Sequence, residues 1–407
     1  VLLPAAGRND DPGREGIAYF TGELLDAGAA GRTGLEIAEE LEGLGVMQDT
    51  GVSWDSTQVG FTALRSRLEP AVGILADLVR RPDFPAGEVD RVRAERLAAI
   101  AQRRANPGSL ADEVTMRAVF APGTPFARML GGSPASVQGF TREDVAAFHA
   151  RRYLPAGAAV IAAGDVTLDE VAGLVEASFG DWAGAPDATP PVEVRRRVGV
   201  PRVYVVDRPG SVQVALRVGQ VGIPFGHEDY VPTVVMNHVL GGAFASRINL
   251  NLRERHGYTY GASSSFVARR EPGPFLVSTA VETEFAAPAL REIFREVEGI
   301  RDAPVAPEEL DDTRSYLAGV FPLRLETTTG LAARLAQIAA YGLPDDYFDR
   351  YRERILEVTA DDVLRAARAH LRPDEMVAVA VGDATQIRGA LEEIGEVEVY
   401  DVAELEA

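Results

Sequence analysis

The chain has 407 residues, a formal charge of −20 and no cysteine. That length exceeds one ordinary core and points to two or three domains, while disulfides, thiolate metal sites and cysteine nucleophiles are excluded. The acidic balance argues against nucleic acid and mildly favours neutral or basic partners, and with no run of about eighteen apolar residues membrane insertion is not expected.

In chain order, Val1-Leu2-Leu3 reads as the inside of a strand with no leader pattern of basic, apolar and small regions, so an upstream strand or leader is expected. The compartment stays open between cytoplasm and periplasm. A helix is predicted from about Gly16 to Leu25. Thr33-Gly34-Leu35-Glu36 has capping-box spacing and opens a second helix to about Leu44. Met47 to Trp54 and Thr57 to Leu64 read as a hairpin turning near Asp55-Ser56. Helical periodicity then runs from Leu68 to Tyr153, broken at Pro82, Pro107 and Pro122.

The segment from Thr141 through a helix to Tyr153, a break at Pro155, a buried strand at Ala159 to Ala163 and a Gly164-Asp165 turn has a later copy. There Thr359 opens a helix to His370, followed by Pro373, a strand from Val377 to Val381 and the turn Gly382-Asp383. Two copies about a lobe apart imply duplication. Between them, Ala183 to Val192 is rich in proline and small residues and precedes Arg195-Arg196-Arg197, which reads as a solvated linker end. The expected division is an N-terminal lobe at 1–183, a linker at 184–198 and a C-terminal lobe at 199–407. In the second lobe, strands are predicted at Val203–Val206, Val212–Val218, Tyr260–Phe266 and Phe275–Val281, with helices at Asp229–Leu240 and Ser246–His256. The fold class is α+β: two homologous lobes, each a mixed, mainly antiparallel sheet with helices packed on one face.

The run from Ala6-Gly7 to Gly16-Ile17-Ala18 resembles the approach to the inverted zinc motif, HxxEH, of the pitrilysin (insulinase) peptidases, and the similarity extends nearly end to end through both lobes. In that motif two histidines one helical turn apart bind zinc, and the glutamate between them polarises the attacking water. The aligned residues here are Tyr19-Phe20-Thr21-Gly22-Glu23. Tyr19 and Glu23 stand at the histidine positions and Gly22 at the general base. On the later helix, the resemblance puts Ala99 at the third ligand and Val92 at its supporting acidic residue. It therefore implies no metal on this chain, with zinc carried by a partner subunit. Taken by itself, Glu23 reads as a solvated helix residue. The histidines, His149, His227, His238, His256 and His370, lie too far apart in sequence to form a local ligand pair and read as structural.

Leu240-Gly241-Gly242 and the following helix to Tyr260 are similar to the family's second signature: a glycine turn, a helix, then arginine and tyrosine seven residues apart. The resemblance makes Gly241 and Gly242 substrate-binding, and gives Arg253 and Tyr260 the task of holding the substrate carbonyl and steadying the oxyanion in a partner's active site. Read without it, Gly241-Gly242 is an ordinary turn, Arg247 and Arg253 are surface charges and Tyr260 begins a strand.

Two functions are expected from this pattern. The first is the non-catalytic subunit of a heterodimeric zinc metallopeptidase, pairing with an HxxEH-bearing chain around a chamber that admits peptides or unfolded polypeptide. The alternative is an inactive homologue acting as a structural or peptide-binding scaffold. A homodimer in isolation fits either. A self-sufficient peptidase would need ligands outside these motifs.

Overall fold

A computed structural model describes residues 1–189 and 192–405; Pro190 and Pro191 of the expected linker lie outside the described residues. The first sheet has three antiparallel strands in the order Leu2–Leu3, Thr57–Thr62, Met47–Val52, leaving Met47–Val52 at an edge. Ser53 closes the expected hairpin turn, its hydroxyl accepting from the amides of Asp55 and Ser56 at 3.2 and 3.0 Å. Thr33 and Glu36 form the reciprocal cap of the helix Gly34–Leu44, which stops at Gly45 with φ of 66°. The proline breaks fall as predicted between Leu68–Arg80, Ala86–Ala105 and Pro107–Val119. Pro107 itself starts a helix, because its missing N–H would have no partner in a first turn, and the Asn106 side chain caps it.

The duplicated unit recurs in its caps. Thr141 with Asp144 and Thr359 with Asp362 form the same capping box at the heads of Arg142–Arg152 and Ala360–His370. Its strand does not recur. Val377–Gly382 lies fully buried between two neighbours, whereas residues 159–163 form no strand and touch the first sheet through a single bridge, Leu2 to Ala159. A strand exists only through its ladder, and an apolar run that makes one bridge and no more stays irregular.

The second sheet runs in the order Val397–Val399, Val203–Asp207, Val377–Gly382, Gln213–Val221, Pro274–Glu282, Ala262–Phe266; the first three are parallel and the rest antiparallel. One face packs on Tyr230–Asn237, Ala286–Asp302, Ala360–His370 and Ala384–Leu391. The other face receives Pro107–Val119 from the first half of the chain, with Leu110, Ala111, Val114 and Ala118 against Tyr204, Val206, Ala215 and Val379. At about 1.5 to 3 kcal/mol for each large apolar side chain buried, this contact ties the two halves together. The linker's arginine run also pairs through its backbone, Arg197 N–H donating to Val119 O at 2.9 Å.

Two predicted α-helices are wider than expected. Tyr230–Asn237 continues as a π-turn at His238–Gly242, and Arg247–Asn249 as another at Leu250–Arg255. The cause at the first is contact: a Cβ on Gly241 would stand 2.7 Å from the backbone nitrogen of Ser264, so the widened turn seats bare backbone against the strand. Among the described residues, no helix is long and apolar enough to cross a membrane.

Candidate functional site

The first helix, Ile17–Gly22, is set in place from below. Asp10, its side chain fully buried, accepts from the amides of Gly16 and Ala18 at 2.7 and 2.9 Å and pairs with Arg128 at 2.7 Å. Gly16 is left-handed, with φ of 95°, and a Cβ there would meet the backbone of Gly131 and Gly132 at about 2.7 Å, so only glycine fits.

This placement turns Tyr19, Gly22 and Glu23 into a cleft of about 600 Å³, walled on one side by Val92, Arg96 and Ala99 and on another by Gln48–Val52 of the edge strand. Every position assigned to the zinc motif therefore faces one cavity, although the residues are wrong for zinc. Ala99 and Val92 offer no donor. Glu23 caps the end of the first helix and is exposed, in keeping with a solvated helix residue; partial desolvation in the cleft raises its carboxyl against the pull of Arg96 and Tyr19. Burial, then the Glu23 charge, raise the Tyr19 phenol, which stays neutral. One carboxylate already engaged by a phenol falls short of the three or four donors that zinc needs, so the residues present do not fit the ion. A Cβ at Gly22 would meet Val52 Cγ2, so a side chain there requires Val52 to shift.

Arg96 was missed by the sequence reading, although the spacing of Val92, Arg96 and Ala99 along Ala86–Ala105 puts all three on one helix face. Its guanidinium carbon lies 4.4 Å from the centroid of the Tyr19 ring, and its Nε donates to Gly131 O at 3.2 Å.

The second signature occupies the widened helices. Gly241 is buried against Ser264 and Gly242 is exposed, with Asn237 closing its near side. Arg247 is clamped by Glu309 at 2.8 and 2.6 Å and ties its helix to Pro307–Leu323. Arg253 is different. Its guanidinium stacks on Phe244 at 4.6 Å, lies 3.6 Å from Glu254, and leaves Nη1 with no hydrogen-bond partner. Tyr260 precedes the strand Ala262–Phe266 rather than beginning it, because Thr259 takes over the local pairing through Gly261 O and Ala280 O, and it is 94% exposed. Arg253 Nη1 has no hydrogen-bond partner, and the Tyr260 phenol is open to solvent.

Among the described residues, one group could approach a metal set: His227, Asp229 and His370, with ligand atoms within 4.8 Å of one another. Sequence spacing could not reveal it, because His227 and His370 meet only through tertiary packing. Its members already pair with one another and with Arg365. His227 Nδ1 accepts from the Asp229 amide at 3.0 Å, His370 Nε2 lies 2.7 Å from Asp229 Oδ2, and Arg365 pairs with the other carboxylate oxygen. Burial works against the Asp229 charge, but Arg365 and His370 outweigh it and hold the carboxyl below its usual range. The group is an ion-pair network joining Ala360–His370 to the head of Tyr230–Asn237.

Comparison with known proteins agrees with this geometry. The sequence profile described as insulinase, peptidase family M16, matches residues 2–126, and that described as peptidase M16 inactive domain matches residues 139–317. An uncharacterized zinc protease of Mycobacterium tuberculosis is 26% identical over 385 residues, covering 94% of this chain and 87% of its own. The non-peptidase homolog YmxG of Helicobacter pylori is 22% identical over 392 residues, covering 94% and 88%. A solved peptidase M16 inactive domain from Pseudomonas fluorescens superposes with a TM-score of 0.81 at 26% identity, covering 94% of this chain and 92% of that one. A protease from Helicobacter pylori superposes at 0.86 with 20% identity, over the same shares, and speaks to fold.

Proposed function

Because the chain belongs to the M16 (insulinase) peptidase family yet assembles no zinc ligand set, we propose that it is a peptidase homologue without hydrolytic chemistry of its own, working as the non-catalytic subunit of a two-chain zinc peptidase. In this reading 1–183 and 199–407 are its two lobes, joined at 184–198, and a partner of the same family carries HxxEH and the zinc. One observation carries it: the cation and base positions are filled by Tyr19, Gly22, Glu23 and Ala99, whereas Arg253 Nη1 has no hydrogen-bond partner and the Tyr260 phenol stands open to solvent. When water attacks a peptide, negative charge gathers on one oxygen, and preplaced guanidinium and phenol donors stabilise it without reorganising. Such donors serve no purpose without an attacking hydroxide, which the partner would supply. The name of the Helicobacter pylori relative, a non-peptidase homolog, supports the inactive assignment.

A scaffold or peptide-binding reading has one observation in its favour. The edge strand Met47–Val52 borders the cleft with its outer side unpaired, and such an edge can take an extended peptide by strand addition without chemistry. Mixing separates the two. Combined with a zinc-bearing family member from the same organism, the chain is expected to give peptide hydrolysis well above that of either component. A mixture no faster than the zinc-bearing chain alone rejects the subunit reading and leaves the scaffold.

A further inference from the structure

The subunit reading requires only that zinc ligands are missing; the cleft suggests in addition that something has taken the metal's place. Arg96 is 9% exposed, lies over the Tyr19 ring and donates to Gly131 O, with Glu23 acting on it electrostatically from the adjacent cleft wall. The backbone that Arg96 packs on is shaped around it: a Cβ on Gly131 would collide with the guanidinium itself, so that glycine leaves room for this arginine. Of the two motif positions at which a ligand would hold a cation, Tyr19 turns its ring to this internal one and Glu23 lines the same cleft. A π face is a partner that a desolvated guanidinium takes.

We propose that Arg96 is the resident cation of this site, a guanidinium supplied by the chain itself where its relatives' motif would hold zinc, and that it excludes the metal independently of the lost ligands. Restoring the ligands alone therefore restores nothing. The positive charge and bulk of Arg96 stay beside the rebuilt donors, and like charges at that range repel strongly in a half-buried cleft.

The test uses the full chain and zinc itself. The variant Tyr19→His/Glu23→His/Ala99→Glu is dialysed against zinc, then buffer, and its metal content measured beside that of the same variant carrying Arg96→Val, with circular dichroism to confirm folding. The expected result is little retained zinc with Arg96 present and about one zinc per chain without it. Stoichiometric zinc with Arg96 in place, or none in either variant, overturns the proposal. A second measurement in the native background guards against misfolding of the multiple variants. Arg96→Gln should lower the thermal midpoint, and that loss should shrink once Tyr19→Leu is also present, as for two groups in one cation–π contact. Fully additive losses count against the proposal even if the zinc experiment cannot be read.

Discussion

Arg253→Ala or Tyr260→Phe in the mixed two-chain assembly is expected to slow peptide hydrolysis by about 100- to 1000-fold, the loss typical of one oxyanion donor, or roughly 2.7 to 4 kcal/mol of barrier. The loss should fall mainly on kcat, because the charge these donors meet is fully developed only in the transition state. Folding should survive both changes. Tyr260 is almost wholly solvent-exposed, and the partners of the Arg253 guanidinium, Phe244 and Glu254, are both exposed. Steady-state kinetics at fixed partner concentration checks the expectation, with zinc content of the partner held constant. Rates unchanged by either substitution would remove the pair from the chemistry and leave Arg253 and Tyr260 as surface residues.

The largest stability effect is expected at Asp10. Asp10→Ala strips a fully buried carboxylate from Arg128 and from the amides of Gly16 and Ala18 at once. Removing one member of a buried pair while its partner stays costs about 3 to 5 kcal/mol, much of it the penalty of the stranded charge. Asp10→Asn keeps an acceptor for the helix amides and should lose less. Urea denaturation followed by circular dichroism measures both. Because Asp10 fixes the helix that carries Tyr19 and Glu23, a midpoint unmoved by Asp10→Ala would mean that the head of that helix is held by other contacts.

What the sequence revealed was local, and what it hid was tertiary. The caps at Thr33, Thr141 and Thr359 depend on residues three apart, so spacing alone located them, and the proline breaks follow from a missing N–H. The strand expected at 159–163 failed because apolar composition does not supply a neighbouring ladder. The π-turns were illegible for a similar reason: they answer to the approach of Gly241 to Ser264, which lies on a separate strand. An apolar stripe on Pro107–Val119 was legible, but not that it would cover the second sheet. Within the cleft, the motif spacing brought Tyr19, Gly22, Glu23 and Ala99 to one wall after another of a single cavity. Arg96 belongs to no motif spacing, and only its packing against Tyr19 and Gly131 marks it out.

On the proposed function this chain makes no attacking hydroxide of its own, its cleft holding an arginine, a tyrosine and one carboxylate where metal donors would stand. The most direct check is metal analysis of the purified chain after zinc loading and dialysis, together with peptide turnover in the absence of any partner. The account expects substoichiometric zinc and no turnover above buffer. About one tightly held zinc per chain, with hydrolysis abolished by a chelator and returned by zinc, would contradict it.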